Sequence, residues 1–149
     1  MLVPNNLISP SVLLVDDEPQ QLDLRAQVLK VSGFSVLTAA GAVEAISIIG
    51  ARAERIDVAV LDYQMPIMNG CALADHLRSC RPEVKIILHS GAVDIPRSEM
   101  TSVDVFIPKN DGIAALVKGV SEFAAVALAP SELPRLNTQM RPESGSSQS

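Results

Sequence analysis

The sequence predicts an open parallel α/β sandwich. Five short, largely apolar runs are separated by longer stretches whose apolar residues recur at helical spacing. Acids, a serine and a lysine close or follow four of those runs, and an open parallel sheet gathers its chemistry at the carboxyl ends of its strands.

The elements follow in chain order. Val12-Leu13-Leu14-Val15 is an aliphatic run that ends on acids, and Pro19 stands where the first turn of a helix tolerates proline. Leu22, Ala26 and Leu29 then share one helical face, with Gly33 as the stop. Phe34 to Thr38 reads as a second strand, and Gly41 to Glu54 as a helix that buries Ala42, Ala45, Ile46 and Ile49. The third strand, Val58 to Leu61, ends on Asp62. Asn69 is placed to cap a helix carrying Leu73, Leu77 and Cys80, which Pro82 stops. Val84 to Leu88 forms a fourth strand ending near Ser90, and Val103 to Ile107 a fifth ending before Lys109. Asp111 is the expected cap of a last helix, with Ile113, Leu116, Val117, Val120 and Ala124 as its buried stripe. Five strands thus alternate with four helical stretches, which is the signature of parallel βα units.

A chain of 149 residues suits one domain of ordinary size. Hydrophobic residues make up 48% and aromatics 3%, so the core must be aliphatic. The net charge of -5, with no basic run, argues against direct binding of nucleic acid or of anionic membrane. Cys71 and Cys80 have no metal-ligand spacing and are expected as reduced thiols on or under a helix. No signal peptide and no membrane-length apolar run is apparent, so the expectation is a cytoplasmic protein. Residues 1–10 are expected as a flexible segment, 11–129 as the domain, and the Pro-, Ser- and Gln-rich stretch 130–149 as a disordered tail.

The predicted strand ends bring together Asp16 and Asp17, followed by Glu18, then Asp62, Ser90 and Lys109. Taken singly, each has an ordinary use: an Asp pair caps a helix, Ser-Gly makes a turn, and a lysine is often solvated surface. Their order on four strand ends is what raises the signal. Clustered carboxylates need a cation, and a hard divalent ion, Mg²⁺ first, suits an all-oxygen donor set. One carboxylate could then attack an electrophile while Lys109 neutralises the transferring oxygens and Ser90 donates its hydroxyl. Such a site suits phosphoryl transfer, where positioning and charge stabilisation supply most of the catalysis. His89 is expected as a packed or hydrogen-bonded side chain rather than a catalyst.

Leu13-Leu14-Val15-Asp16-Asp17-Glu18-Pro19 resembles the opening motif of two-component response regulator receiver domains. Leu61-Asp62-Tyr63-Gln64-Met65-Pro66-Ile67-Met68-Asn69-Gly70 resembles the motif around their phosphoaccepting aspartate, and Ser90-Gly91-Ala92 and Phe106-Ile107-Pro108-Lys109 resemble the two later motifs. The likeness covers about residues 11–128 and is to the single-domain type. It implies a flavodoxin-like (βα)5 fold, a doubly wound five-stranded sheet in the order 2-1-3-4-5. It also implies that Asp62 is the phosphoacceptor. Asp17 and Asp62 would ligate Mg²⁺ directly, Asp16 through water, and Gln64 through its backbone carbonyl. Ser90 and Lys109 would contact the phosphoryl oxygens, and the Phe106 rotamer would follow the switch hydroxyl of Ser90. The implied partners are a histidine kinase or His-phosphotransfer protein and a downstream protein target. Phe123, Val126 and Leu128 lie off the last helix's buried stripe and suggest a homodimer.

Two departures from the family pattern stand out. Asn110 replaces the proline usual after the lysine, which disfavours a cis bond there. The stretch from Ser90 to Lys109 is a few residues short, and Pro96 interrupts the place of a fourth helix. Two other functions compete with the phosphorylation switch. A degenerate interaction module would not need the intact acids, Ser90 and Lys109. A Mg²⁺-dependent phosphohydrolase wants a second acid where Gln64 stands.

Overall fold

The computed structural model describes residues 9–92 and 94–127. Its order is β1 (Ser11–Val15), α1 (Pro19–Val31), β2 (Ser35–Ala39), α2 (Ala42–Ala51), β3 (Val58–Leu61), α3 (Gly70–Cys80), β4 (Lys85–Ser90), β5 (Val105–Pro108) and α4 (Ile113–Ala127). The five strands form one parallel sheet in the order β2-β1-β3-β4-β5, as the resemblance implies.

Side-chain alternation between two covered faces explains why the runs Val12–Val15 and Val58–Leu61 are continuously apolar. Leu13, Val15, Ala59, Leu61, Ile86 and Leu88 face one layer, where they meet residues of α2 and α3 such as Ile49 and Leu77. Val12, Leu14, Val58, Val60 and Ile87 face the other, against Leu29 of α1 and Leu116 and Val120 of α4. Burial of both faces supplies the main stabilisation, roughly 25 cal/mol per Å² of apolar surface removed from water. In α1, Pro19 occupies the first turn, Leu22, Ala26 and Leu29 are buried, and Gly33 follows the end at a φ of 106°. The left-handed backbone there is one that glycine adopts without strain. Asn69 caps α3 by accepting a bond from the Ala72 amide at 2.9 Å. Cys71 is buried and Cys80 half-buried, both as free thiols on α3.

Three differences from expectation have a clear physical cause. α2 stops at Ala51 rather than Glu54 because Arg52 turns left-handed at a φ of 54°. Buried Arg81 then satisfies carbonyls at that end, donating to Ile49 at 3.0 Å and Glu54 at 2.9 Å. Asp111 does not cap α4. It ends a 3-10 turn over Lys109–Asp111, and Gly112, at a φ of 89°, leads into the helix at Ile113. Ile113 is consequently 36% exposed instead of buried.

The crossover from β4 to β5 is the third difference. A fifth α-helix would complete the (βα)5 pattern, but here a single 3-10 turn, Arg97–Glu99, starts directly after Pro96. Pro96 has extended backbone (φ -61°, ψ 136°), and the segment is too short to add a full helix and return to the sheet. Polar bonds to α3 hold it instead. Arg78 donates to the Ser102 carbonyl and to Asp104 Oδ2, both at 2.8 Å, and Ser102 Oγ donates to Asp75 Oδ1 at 2.7 Å. Ile95, Met100 and Val103 pack on the apolar layer beneath. The tail over 130–149, Leu128, and residues 1–8 of the N-terminal segment lie outside the described residues.

Candidate functional site

Parallel register sets the carboxyl edge. Val15 is level with Leu61, and Leu61 with Leu88, so the residues that follow β1 and β3 emerge beside the end of β4. Asp16 and Asp17 leave β1, Asp62 leaves β3, and Ser90 is the last residue of β4, paired with Pro108 just before Lys109. Carboxylate oxygens of Asp16, Asp17 and Asp62 lie within 4.8 Å of one another. The five residues read from the strand ends therefore converge, and Gln64 lines the same open cavity of about 470 Å³ beside Asp17, Asp62, Gly91 and Lys109.

The three acids are not equivalent. Asp16 is 3% exposed and its oxygens are engaged. Oδ1 accepts the Glu18 amide at 2.9 Å, and Oδ2 takes Lys109 Nζ at 3.0 Å with Arg25 Nη1 at 3.5 Å. Asp17 is only half-buried and open to the cavity. Asp62 is 7% exposed, with Lys109 Nζ 3.5 Å from its Oδ2. Burial raises the Asp62 pKa, and the Asp16 charge adds to that; Lys109 and a Ser90 hydrogen bond pull the other way. Ser90 is fully buried and its Oγ also accepts the Ala92 amide at 3.1 Å.

Gly70 fixes the loop that follows Asp62. A Cβ at this position would collide with the backbone carbonyl of Asp62 and press on Leu88. Only glycine lets α3 start this close to the end of β3, and the Gly70 amide bonds the Tyr63 carbonyl at 2.9 Å. Tyr63 in turn donates its hydroxyl to Glu99 at 2.8 Å, joining the loop after Asp62 to the 3-10 turn of the shortened crossover. Phe106, on β5 opposite Leu88, is half-buried on the layer shared with α3.

His89 is packed, as its sequence position suggested. It is 3% exposed, and Nδ1 lies 3.0 Å from the Ile107 carbonyl, so that nitrogen carries the proton. Burial lowers its pKa to about 4, leaving a neutral imidazole at physiological pH.

Arg25 was not singled out from the sequence. Its signal was present, because it follows Leu22 by three residues and precedes Leu29 by four, on the buried side of α1. A charged residue there must find a partner, and the partner is Asp16.

An open parallel sheet with three acids and a lysine on its carboxyl edge defines a flavodoxin-like α/β protein with an acidic, cation-ready site. The family model for the response regulator receiver domain matches residues 12–121, and the chain belongs to that family. The transcriptional regulatory protein PrrA of Mycobacterium tuberculosis is 31% identical over 84% of this chain and 47% of its own length. The C4-dicarboxylate transport transcriptional regulatory protein DctD of Rhizobium meliloti is 35% identical over 59% of this chain and 19% of its own length. The chain thus spans less than half of these relatives. Among solved structures, a CheY-like receiver domain protein from Methanospirillum hungatei is similar with a TM-score of 0.74 and 27% identity, over 80% of this chain and 97% of that one. Response regulator protein TrrA from Thermotoga maritima, solved with Mg²⁺-BeF, has a TM-score of 0.71 and 25% identity, over 76% of this chain and 98% of that one. No described helix is long and apolar enough to cross a membrane.

Proposed function

We propose that this chain is a phosphorylation-dependent switch of a two-component phosphorelay, with Asp62 as the phosphoacceptor. Receiver domains serve signalling rather than metabolic catalysis, and the site here is suited to one covalent event. The observation that carries the proposal is the placement of Asp62 in an open cavity, with Lys109 Nζ 3.5 Å from its Oδ2 and the Asp16 and Asp17 carboxylates within 4.8 Å. A carboxylate oxygen of Asp62 forms a bond to phosphorus as the bond from phosphorus to the donor's imidazole nitrogen breaks, and the released imidazole nitrogen takes a proton from water. Lys109 and the Ser90 hydroxyl stabilise the transferring oxygens. An all-carboxylate donor set fits a hard divalent ion, so Asp17, Asp62 and the Gln64 carbonyl would hold Mg²⁺, with Asp16 assisting through water, and the ion supplies charge neutralisation.

The donor would be a histidine kinase or His-phosphotransfer protein. Histidine kinase ThkA has been solved in complex with response regulator protein TrrA, a pair that includes a chain 25% identical to this one with a TM-score of 0.68, over 76% of this chain and 97% of that one. We place the protein in the cytoplasm with such a donor. Of the residues expected off the α4 stripe, Phe123 packs on the core, Val126 is 57% exposed, and Leu128 lies outside the described residues. The homodimer therefore rests on Val126 as its apolar contact. Against a phosphohydrolase, Gln64 offers no titratable proton to the cavity.

Intact-mass analysis after treatment with acetyl phosphate and Mg²⁺ tests the proposal. Wild type should gain one phosphoryl group and Asp62→Asn none. A modified Asp62→Asn protein, or wild type left unmodified, would overturn it.

A further inference from the structure

The chemistry proposed above uses Lys109 as its cation and leaves Arg25 without a role. Yet Arg25 is built into the same cavity wall as Asp62, Gln64 and Lys109. Its side chain is 12% exposed, and Nη1 lies 3.5 Å from the Asp16 oxygen that Lys109 already reaches at 3.0 Å. Nη1 is shielded from solvent and makes no hydrogen bond. A guanidinium so placed has donor capacity to spend, and Asp16 does not use it fully.

Charge bookkeeping indicates what it is for. Asp16, Asp17 and Asp62 carry three negative charges, and Lys109 and Arg25 return two. A divalent ion entering that site makes it net positive by one, whereas a site with Lys109 alone would become neutral. Phosphorylation replaces the single charge of Asp62 with a dianion, and with the ion in place the two cations then bring the site to neutrality. Without Arg25 it would keep a negative charge. Glu18 also lines the cavity, but its charge moves every state equally, so the difference made by Arg25 stands.

We propose that Arg25 is a charge-balancing residue that opposes the divalent ion in the unmodified site and holds the phosphoryl group in the modified one. The inference rests on Asp62 being the acceptor. It moves the two affinities in opposite directions: relative to a site with one lysine, resting Mg²⁺ occupancy is lower and the phosphoryl group is held more tightly, while the mutual attraction of the two ligands raises Mg²⁺ occupancy on phosphorylation.

Full-length wild type, Arg25→Gln and Arg25→Lys should be compared in two titrations. The first is Mg²⁺ alone, by calorimetry. The second is beryllofluoride at saturating Mg²⁺, followed by the fluorescence of Tyr63, the single tyrosine in a chain without tryptophan. Arg25→Gln should bind Mg²⁺ about tenfold tighter, the size expected for removing a unit charge several ångströms from a divalent ion in a partly solvated site. The same variant should bind beryllofluoride more weakly, while Arg25→Lys keeps both values near wild type. Lost folding would weaken both ligands together, so only opposite shifts support the proposal. Unchanged affinities, shifts of the same sign, or Arg25→Lys behaving as Arg25→Gln would overturn it. Wild type that binds neither ligand would instead overturn the acceptor assignment beneath it.

Discussion

Asp16 and Asp17 are neighbours with different electrostatic lives. Asp16 spends one oxygen on the Glu18 amide and the other on Lys109 and Arg25, while Asp17 faces the cavity. A carboxylate whose lone pairs are engaged by the protein has less to give a metal. Asp17→Ala should therefore weaken Mg²⁺ binding more than Asp16→Ala, as titration calorimetry on the two variants can rank. Equal losses would contradict the assignment of direct and water-mediated roles. The converging acids and Lys109 were legible because each closes a predicted strand, and parallel register then brings those ends to one edge. Arg25 was legible only as an anomaly on an apolar face. The Tyr63–Glu99 bond, across 36 positions, has no sequence signal at all, since it depends on how the crossover folds back.

Among the elements, α3 does the most to shape the acceptor loop. Its first residue, Gly70, packs against the Asp62 backbone, and its side chains Asp75 and Arg78 hold the crossover that follows β4. Gly70→Ala should cost roughly 1–3 kcal/mol, the usual penalty for forcing atoms into a packed contact, because here the obstacle is backbone rather than a flexible side chain. Chemical denaturation measures this, and an unchanged midpoint would show that the loop has room to relax. The apolar stripes of α1 and α2, that of α4 apart from Ile113, and the Asn69 cap followed from local periodicity and capping chemistry. Helix ends were less legible. A left-handed Arg52 ended α2 early, and the glycine after Asp111 displaced the expected cap. Pro96 did announce the missing helix, because a proline and a short segment leave too little chain for one.

At the scale of the whole molecule, the sheet couples stability to its functional edge. His89, on β4 and level with Ile107 of β5, is neutral and bonded to the Ile107 carbonyl, with its pKa lowered from the ordinary 6.5 to about 4. Below pH 6.5 the unfolded chain takes up a proton that the folded protein refuses. Stability should then fall as pH drops from 6.5 toward 4, by up to about 1.4 kcal/mol per pH unit from this group. Denaturant unfolding at several pH values should show a steeper loss for wild type than for His89→Gln; parallel curves would show that other groups govern acid sensitivity. The coupling of site to surface has one evident route. On the proposed function, phosphate on Asp62 would draw on Ser90 and Lys109; Phe106 lies level with Leu88, two residues before Ser90, and Tyr63 ties the loop after Asp62 to the crossover turn.

The switch and the role given to Arg25 both depend on Asp62 receiving the phosphoryl group, and an acyl phosphate can be trapped where it forms. Borohydride reduction of the phosphorylated protein, followed by peptide mass mapping, should find homoserine at position 62 and unchanged aspartate at positions 16 and 17. Homoserine at either of those positions, or none anywhere in a protein that has demonstrably gained phosphate, would contradict the account.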